Sequence, residues 1–399
     1  MSGLFQASED EIRSGYTMDV YFERTHRILD AAGLADVPVK AEFTCSSLPN
    51  GWKWGVFCGL QEVLNLMEGS GVSMSSIPEG TLFRPRDGRS VRVPLMNLEG
   101  PYSGFGEMET AILGMICQPS GIATASARTK MAARWKTVLA FGNRRMHPAI
   151  SGVIDRSAFI GGCDGVSSRM GGDITGTEPV GTVPHALMIM MGSNDAAFRK
   201  FDEVIEPEVS RIMLIDTYSD ERAAALEACE SIPSLKGIRL DTPGSRRGNF
   251  KDLVNEIRWE LDINGHQDVG IIVSGGLDEK SVGDLADTCI TGFGVGTSIS
   301  NAPTFDLSMD IIEKQGRPVS KRGKFSGRKY PHRCPHCFSM GVSLSPDEEV
   351  RCSCGSVMEM LEKPVLKDGV KVQKDRTPVE IRESVISQLK QISEIESRS

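Results

Sequence analysis

Four strand-like segments in the second half of the chain, each followed by a polar or glycine-rich turn, constrain the fold most strongly. They cover residues 211–215, 236–240, 268–273 and 289–293. The first three turns lead into amphipathic helical stretches, such as 219–229 with two acidic residues in its first turn. This repetition predicts parallel strands, because parallel neighbours require a crossover connection.

Polar residues and glycines follow each of these segments. They are Asp216-Thr217, Asp241-Thr242, Ser274-Gly275-Gly276 and Gly294-Val295-Gly296-Thr297. In an α/β barrel the active site lies at the carboxyl ends of the strands, and the last two loops often hold a phosphate. The order of carboxylates first and glycines last therefore predicts a barrel that binds a sugar phosphate. A doubly wound sheet remains an alternative, because it also places ligands at strand carboxyl ends.

The composition excludes several classes of protein. The 45 Lys and Arg residues against 53 Asp and Glu give a net charge of −8, so bulk charge does not favour binding to nucleic acid or an anionic membrane. No apolar run approaches the roughly 18 residues of a membrane span. Residues 1–10 also lack the pattern of a secretory signal. We therefore expect a cytoplasmic protein without membrane contact.

The chain length and the changes in pattern predict three domains. Residues 1–115 form an α+β domain, residues 116–302 form the α/β barrel, and residues 303–399 form a C-terminal region. This last region combines a small cysteine module at about 325–365 with a terminal helix. The helix opens with a capping box at Thr377-Pro378-Val379-Glu380.

Local patterns predict several elements before the barrel strands. Helices are expected over 19–32 and 59–68, a strand over 37–44 and a hairpin over 81–98. The stretch 107–141 reads as helical but broken near Pro119, with Ser120 capping a second helix.

Ten cysteines divide into a cluster and a scattered set. The cluster, Cys334-Pro-His-Cys337 and Cys352-Ser-Cys354, supplies four thiolates, which suit a tetrahedral structural zinc site without an open position. The alternatives are four free thiols, or replacement of one ligand by His332 or His336. The scattered set is typical of buried free thiols: Cys45, Cys58, Cys117, Cys163, Cys229 and Cys289.

Several single residues are candidates for chemistry. Asp216 and Asp241 suit ribose hydroxyls or magnesium, although each could instead cap its loop. Arg239 alternates with apolar neighbours, which predicts that it points into the barrel mouth. His185 follows Pro184 at the start of an apolar helix, where the ring would stay neutral and nucleophilic; a structural histidine is the alternative.

Eight motifs in order resemble those of the nicotinate phosphoribosyltransferase family, in its short form with a zinc-knuckle-like insert. They are Thr17-Met-Asp-Val-Tyr21, Phe141-Gly-Asn-Arg144-Arg145, Ile160-Gly-Gly-Cys-Asp164, Gly181-Thr182-Val-Pro-His185, Leu214-Ile-Asp-Thr-Tyr218, Ile238-Arg-Leu-Asp-Thr242, Ser274-Gly-Gly-Leu-Asp278 and Phe293-Gly-Val-Gly-Thr297. The resemblance implies the open α/β barrel of type II phosphoribosyltransferases and an active site shared across a homodimer.

The resemblance also implies roles for individual residues. Phe141 would stack on the pyridine ring, Asp164 would orient it, and Tyr21 of a second copy would cover its other face. Arg144, Arg145 and Arg239 would bind the substrate carboxylate or phosphoribosyl pyrophosphate, with Thr182 and Thr242 in support. Asp216 and Asp241 would bind ribose or Mg²⁺, and ATP would phosphorylate His185. The residues that would bind the 5′-phosphate are Ser274, Gly275, Gly276, Gly294, Gly296 and Thr297.

The chain departs from the usual family pattern at Asp241-Thr-Pro-Gly244, where Arg246 and Arg247 follow as candidates for binding pyrophosphate.

Three alternatives to a nicotinate-specific enzyme remain. Nicotinamide and quinolinate are rival substrates, the second disfavoured by chain length and by the His185 motif. A nucleic-acid-binding zinc protein is a third alternative, because residues 317–333 carry seven basic and no acidic side chains.

Overall fold

The computed structural model describes residues 3–398, which form two compact units. One unit combines residues 3–124 with residues 303–398, and the other comprises residues 125–302. The division into three domains stays a prediction about independently folding parts of the chain.

Strands and helices are numbered in chain order. The strands are β1 (Pro38–Cys45), β2 (Gly55–Val56), β3 (Ser73–Ser76), β4 (Leu82–Phe83), β5 (Pro94–Pro101), β6 (Thr137–Ala140), β7 (Ile212–Leu214), β8 (Gly237–Leu240), β9 (Gly270–Val273), β10 (Gly292–Val295), β11 (Leu307–Lys314), β12 (Arg317–Pro318), β13 (Tyr330–Arg333), β14 (Met340–Ser343), β15 (Glu359–Met360), β16 (Lys363–Lys367) and β17 (Val370–Lys371). The helices are α1 (Glu9–Arg13), α2 (Val20–Ala31), α3 (Leu60–Met67), α4 (Glu109–Ala132), α5 (Ser151–Gly161), α6 (Arg169–Thr175), α7 (His185–Met191), α8 (Asn194–Val204), α9 (Glu221–Ser231), α10 (Phe250–Ile263), α11 (Glu279–Leu285), α12 (Thr297–Ser300) and α13 (Pro378–Arg398).

The first unit centres on an antiparallel seven-stranded sheet in the order β12-β11-β1-β5-β3-β16-β17. Strand β1 lies between β5 and β11, and its Ala41 and Phe43 are fully buried in the core. Helix α3 adds Val63 and Met67 to the same core, because apolar residues recur along it at helical spacing. These elements match the helix predicted over 59–68 and the strand predicted near β1.

The hairpin predicted over 81–98 forms only locally. The Asp87 carboxylate accepts hydrogen bonds from the backbone amides of Arg89 and Val91, at 2.9 Å each, which closes a tight turn. Strand β4, however, pairs with β2, whereas β5 pairs with β1 and β3. The two arms therefore pair only next to the turn, through the antiparallel bridge between Arg86 and Arg92, while Leu82 and Phe83 pair with β2 instead. Alternation along one segment does not identify its partner strand.

Helix α4 continues through Pro119, so the predicted break and the capping role of Ser120 are both wrong. Proline cannot donate a hydrogen bond to the Met115 carbonyl four residues earlier. Gly59 packs against that carbonyl so closely that a Cβ would stand 1.8 Å from its oxygen. The Ser120 hydroxyl accepts from the Cys58 amide at 3.0 Å and donates to the Cys58 carbonyl at 3.2 Å. Contacts from the neighbouring segment therefore support the helix where the proline weakens it.

The second unit is an open barrel of parallel strands in the order β6-β10-β9-β8-β7. Strand β10, the last of these strands in the chain, pairs with β6, the first, so the sheet curls back on itself as in a barrel. On the other side of β6, Leu139 forms a parallel bridge with Gly165. Within the described part of the chain, no strand pairing joins that bridge to β7. The predicted open α/β barrel is confirmed, and the doubly wound alternative is wrong.

Two barrel strands differ from their predictions. Strand β6 lies within the stretch predicted as helical, and β10 begins and ends later in the chain than the predicted segment 289–293. As a result, Gly294 lies inside a buried strand instead of in the turn that follows it.

The C-terminal helix α13 begins as its capping box predicts. The Thr377 hydroxyl accepts from the Glu380 amide at 3.2 Å, and the Glu380 carboxylate accepts from the Thr377 amide at 2.7 Å. Its Ile381, Val385 and Leu389 are buried, so the predicted apolar stripe is a packing face. Across residues 3–398, none of the helices combines the length and the apolar character needed to cross a membrane.

Candidate active site

The carboxyl ends of the five barrel strands bring most of the predicted site residues to one rim. Phe141 follows β6, Asp216 comes shortly after β7, Asp241 follows β8, Ser274 follows β9 and Gly296 follows β10. The strands are parallel, so these positions share one edge of the barrel. The fold therefore assembles one site from residues that are far apart in sequence.

His185 lies beside both rim aspartates. Its Nδ1 atom shares a 3.0 Å hydrogen bond with the Thr217 hydroxyl, which fixes the orientation of the ring. Its Nε2 atom lies 3.7 Å from Asp216 Oδ2 and 3.8 Å from Asp241 Oδ2. The His185 side chain remains 42% exposed, so a ligand can reach Nε2. This nitrogen is therefore accessible and lies between two carboxylates.

Asp216 is a buried carboxylate without a hydrogen-bond partner on either oxygen. Burial raises its pKa, and the Asp241 carboxylate adds to the rise, whereas His185 opposes it. A buried anion without partners costs stability unless a ligand supplies donors or a cation. The donor set at this position, two carboxylates facing one space, fits ribose hydroxyls or Mg²⁺.

Asp241 is tied to the loop that follows β9. Its Oδ1 atom accepts a 2.8 Å hydrogen bond from the Ser274 hydroxyl, while its Oδ2 atom faces His185. The Arg247 guanidinium donates to the Ser274 carbonyl at 2.8 Å and to the Gly275 carbonyl. The loops after β8 and β9 are thus held together at the rim.

Phe141 forms an aromatic wall of the site. Its ring lies on Gly294, where a Cβ would stand 2.5 Å from the ring atom Cε2. The Arg239 guanidinium carbon lies 6.0 Å from the ring centroid, and Arg239 Nε is buried without a hydrogen-bond acceptor. Burial lowers the pKa of Arg239, although Asp241 and Asp216 oppose this effect. An anionic planar ligand beside Phe141 would supply the missing acceptor.

Arg144 and Arg145 occupy a 3₁₀ turn directly after Phe141, and both side chains are exposed. Asn143 in the same turn donates to Asp155 at 2.7 Å. Asp155 is fully buried in α5 and also accepts from the hydroxyl of Ser168 at 2.6 Å. Sequence reasoning missed Asp155, although a carboxylate within an apolar helix was a detectable signal.

The glycines predicted to bind phosphate have the required backbone freedom at two positions. Gly275 and Gly276 have φ angles of +88° and +67°, which residues with a side chain rarely adopt. Gly296 ends the turn after β10, and Thr297 begins the short helix α12 with an exposed side chain.

Four other predicted residues have different environments. The Asp164 carboxylate accepts from Lys130 at 2.6 Å and from the Val138 amide at 2.8 Å, which places it at the amino end of β6, opposite the rim. The buried Thr242 hydroxyl donates to Glu221 at 2.9 Å. Thr182 Oγ1 is buried without a hydrogen-bond partner. Tyr21 is 55% exposed and belongs to the first unit.

The four clustered cysteines converge in the first unit. Their Sγ atoms all lie within 4.8 Å of one another, with 3.5 Å between Cys334 and Cys354 and 3.3 Å between Cys337 and Cys352. Tetrahedral coordination at a Zn–S distance of about 2.3 Å separates the sulfurs by about 3.8 Å, so the cluster fits a metal ion. His332 instead contacts Ser343 at 2.8 Å.

The basic stretch 317–333 is largely paired with acidic residues of its own unit. Lys329 contacts Glu42 at 2.9 Å in a buried pair, and Arg328 contacts Glu362 at 3.0 Å. Lys321 and Lys324 both contact Asp310, and Arg333 donates to the Leu82 carbonyl at 2.8 Å. Three carboxylates, those of Glu42, Glu362 and Asp310, therefore offset three of the seven positive charges on which the nucleic-acid alternative rests.

Two family models match the chain. The model of the quinolinate phosphoribosyl transferase N-terminal domain covers residues 19–120, and that of the C-terminal domain covers residues 122–310.

Curated relatives cover a large part of the chain. A nicotinate phosphoribosyltransferase of Mycobacterium tuberculosis is 31% identical over 269 residues, which is 64% of this chain and 54% of that protein. The nicotinate phosphoribosyltransferase of Bos taurus is 26% identical over 360 residues, or 74% and 64% of the two chains. The chain thus spans little more than half the length of its mycobacterial relatives.

Solved structures match over nearly the whole chain. The nicotinate-nucleotide pyrophosphorylase of Pyrococcus furiosus is 46% identical, with a TM-score of 0.93 over 98% of this chain and 99% of that one. Human nicotinic acid phosphoribosyltransferase is 18% identical, with a TM-score of 0.74 over 94% of both chains, and therefore shows a shared fold.

Proposed function

Because this chain belongs to the family of quinolinate and nicotinate phosphoribosyltransferases, we propose that it transfers phosphoribosyl from phosphoribosyl pyrophosphate to nicotinate. The products are nicotinate mononucleotide, a precursor of NAD, and pyrophosphate. The observation that carries this proposal is the rim itself. There, His185 Nε2 lies within 4 Å of Asp216 and Asp241, beside a glycine-rich turn and an aromatic wall.

The 5′-phosphate of the donor binds to the turns after β9 and β10. The backbone amides of Gly275, Gly276 and Gly296 donate to its oxygens, with the Thr297 hydroxyl at the edge. Ser274 supports the turn through the hydrogen bond from its hydroxyl to Asp241. Positive φ angles at the first two glycines support this assignment, because they allow neighbouring amides to face one anion. Gly294 supports the site differently, by leaving room for the Phe141 ring.

Nicotinate stacks on Phe141 with its carboxylate facing Arg239. The ring nitrogen attacks C1 of the donor ribose, the C1–oxygen bond to pyrophosphate breaks, and pyrophosphate leaves with the bonding electrons. Arg144 and Arg145, exposed beside the ring, offset negative charge on the leaving group. Thr182 and Thr242 support this part of the site from within the fold, the second through its buried hydrogen bond to Glu221.

Asp216 and Asp241 would hold the ribose hydroxyls and a magnesium ion. Both oxygens of Asp216 are buried without partners, which is the environment that a divalent cation or two hydroxyls would satisfy. The ion, when bound, would stabilise the charge that builds up on pyrophosphate.

His185 couples the reaction to ATP hydrolysis. Its Nδ1 atom is engaged by Thr217, so Nε2 attacks the γ-phosphorus of ATP and ADP leaves. Water later cleaves the resulting phosphohistidine. Coupling of this kind drives a turnover that is otherwise less favourable.

The chemistry around Arg239 favours an acid over nicotinamide. Its Nε atom is buried without an acceptor, and a carboxylate pairs with a guanidinium through two charge-assisted hydrogen bonds. Quinolinate carries a second carboxylate and would need a second buried cation at the ring. Among the described arginines near Phe141, Arg239 is half-buried, whereas Arg144 and Arg145 are exposed. Neither Arg144 nor Arg145 therefore supplies the second buried cation that quinolinate would need.

The test is a comparison of the three pyridines. Purified protein is incubated with the donor, Mg²⁺, ATP and either nicotinate, nicotinamide or quinolinate, and the products are separated by mass. We expect nicotinate mononucleotide from nicotinate alone, with ATP raising the yield. Product from quinolinate with release of carbon dioxide, or from nicotinamide, would overturn the assignment. Arg239→Gln should reduce kcat/KM for nicotinate at least tenfold.

The cysteine cluster holds a structural zinc ion. Cys334, Cys337, Cys352 and Cys354 would hold the ion through four thiolates, a ligand set typical of structural zinc that leaves no position for a substrate. Elemental analysis should find one zinc per chain, and Cys352→Ser should reduce that content. A chain without bound metal would refute this site.

The enzyme acts as a homo-oligomer, a dimer or a multiple of dimers, in the cytoplasm. Tyr21 of one copy covers the pyridine that Phe141 of another copy contacts. The Tyr21 side chain is 55% exposed, which supports a contact outside its own chain. The proposed location in the cytoplasm rests on a different observation: free thiols such as Cys45 and Cys229 are consistent with a reducing compartment. A monomer by light scattering, or unchanged nicotinate KM in Tyr21→Ala, would contradict this arrangement.

A further inference from the structure

Arg247 connects two loops of the barrel rim. It lies between β8 and α10, and its Nε atom donates a 2.6 Å hydrogen bond to the Thr242 carbonyl of its own loop. Its Nη2 atom reaches the loop after β9, where it donates to the Ser274 carbonyl at 2.8 Å and to the Gly275 carbonyl. One guanidinium therefore joins the loop that carries Asp241 to the loop predicted to bind phosphate.

The loop after β9 is shaped around this guanidinium. A Cβ on Gly275 would stand 2.8 Å from Arg247 Nη2 and 2.9 Å from Asp241 Oδ1. The guanidinium carbon also lies 4.6 Å from the centroid of the Phe250 ring, which packs against its face. Arg247 thus lies between the Gly275 turn and the Phe250 ring, and its Nε and Nη2 donors are used on backbone carbonyls.

Fixing these two carbonyls fixes two amide groups. In a trans peptide, the C=O of one residue and the N–H of the next point in opposite directions. A hydrogen bond on the Ser274 carbonyl therefore sets the direction of the Gly275 amide, and one on the Gly275 carbonyl sets that of Gly276. Without such bonds, two consecutive glycines would sample many orientations.

We infer that Arg247 is a positioning residue that presets the Gly275 and Gly276 amides for the 5′-phosphate, an inference that rests on the proposed function. It does not itself need to contact the phosphate. Arg247 also keeps the Asp241 loop in register with the phosphate turn, because Ser274 connects to both Arg247 and Asp241. A preset turn binds phosphate more tightly, since the loop does not lose freedom on binding.

The chain offers a matched control at the other end of the barrel. Arg258 in α10 donates to the Val269 carbonyl at 2.6 Å and to the His266 carbonyl at 2.7 Å, just before β9 begins. It is the same kind of clamp between a guanidinium and backbone carbonyls, but it lies at the amino ends of the strands. Arg258→Lys should change stability without changing donor binding.

The test compares Arg247→Lys and Arg258→Lys with the wild-type chain. Ribose 5-phosphate binding is measured by calorimetry, and KM values for donor and nicotinate are measured by mononucleotide formation. We expect Arg247→Lys to weaken ribose 5-phosphate binding and raise the donor KM by about tenfold or more, with little change in nicotinate KM. Arg258→Lys should leave all three values unchanged. Unchanged donor KM in Arg247→Lys would overturn the inference.

Hydrogen exchange of the ligand-free protein separates positioning from direct contact. The amides of residues 274–277 should exchange faster in Arg247→Lys than in the wild type or Arg258→Lys. Equal exchange in all three proteins would overturn the positioning role even if binding weakened. A wild-type chain that binds ribose 5-phosphate but makes no mononucleotide would instead refute the proposed function.

Discussion

The Phe141 ring lies against Gly294, at a distance that leaves no room for a side chain on that strand position. We predict that Gly294→Ala tilts the ring and raises the nicotinate KM about tenfold, with a smaller effect on the donor KM. Steady-state kinetics with each substrate varied will measure this difference. An unchanged nicotinate KM would show that the ring does not contact the pyridine.

Gly283→Ala is the control for that substitution. Gly283 lies in α11, and a Cβ there would find its nearest neighbour, the Ala132 Cβ, at 3.9 Å. The new methyl group should raise the free energy of unfolding by about 0.5–1 kcal/mol, because alanine favours a helix over glycine. Its kinetic constants should match those of the wild type.

Asp216 should cost the folded protein stability at neutral pH. Burial, followed by the Asp241 carboxylate, raises its pKa above the ordinary value of 3.8. A carboxyl whose pKa is higher in the folded chain loses stability as the pH rises above that ordinary value. Asp216→Asn should therefore melt at a higher temperature than the wild type at pH 7, with no difference near pH 3, and should lack activity.

Asp195 is the control for Asp216, because its pKa is shifted in the opposite direction. A hydrogen bond from Ser231 and the neighbouring Arg199 lower its pKa. Its charged form therefore stabilises the fold above the ordinary pKa, and that stability is lost as the pH falls through the folded pKa. Asp195→Asn should melt at a lower temperature than the wild type at pH 7. If both variants changed the melting temperature at pH 7 in the same direction, the burial argument for Asp216 would be refuted.

His185→Ala should abolish the stimulation by ATP and leave slow ATP-independent synthesis. Thr217→Val should keep the nucleophile but release its Nδ1 atom, so ATP stimulation should fall by about tenfold. His266→Ala, at the amino end of β9, should behave as the wild type. Phosphorylated peptide detected by mass spectrometry after ATP treatment should contain residue 185. Full ATP stimulation in His185→Ala would remove this residue from the coupling step.

Metal removal should change the reactivity of the clustered thiols. Cys354 is exposed, whereas burial raises the pKa of Cys229 to about 11. With metal bound, alkylation at pH 7 should be slow at both positions. After chelation, Cys354 should react first and the melting temperature should fall, since metal binding stabilises a small module. Alkylation of Cys354 at equal rates with and without chelator would contradict a metal at the cluster.

The sequence predicted the parts of the site that depend on local pattern. A strand followed by a polar turn is recognisable from a few residues, so Asp216, Asp241 and Ser274 could be placed on one rim. The cysteine spacing likewise predicted the convergence of Cys334 and Cys354, because two short turns present two thiols each. These features require no knowledge of how distant segments pair.

Features that depend on distant contacts could not be predicted. Pro119 should break a helix by itself, but Gly59 and Cys58 pack against that turn and preserve it. The register of the Leu139–Gly165 bridge decides that Asp164 faces Lys130 at the amino end of β6. Neither outcome follows from propensity, because both depend on which segments meet in three dimensions.

Binding of the donor at the rim is tested most directly by a crystal structure of the protein with bound phosphoribosyl pyrophosphate. We expect the 5′-phosphate within hydrogen-bond distance of the Gly275, Gly276 and Gly296 amides, with C1 of the ribose on the side of Asp216 and Asp241. A donor bound away from the rim, or one whose pyrophosphate occupies the glycine turns, would contradict it.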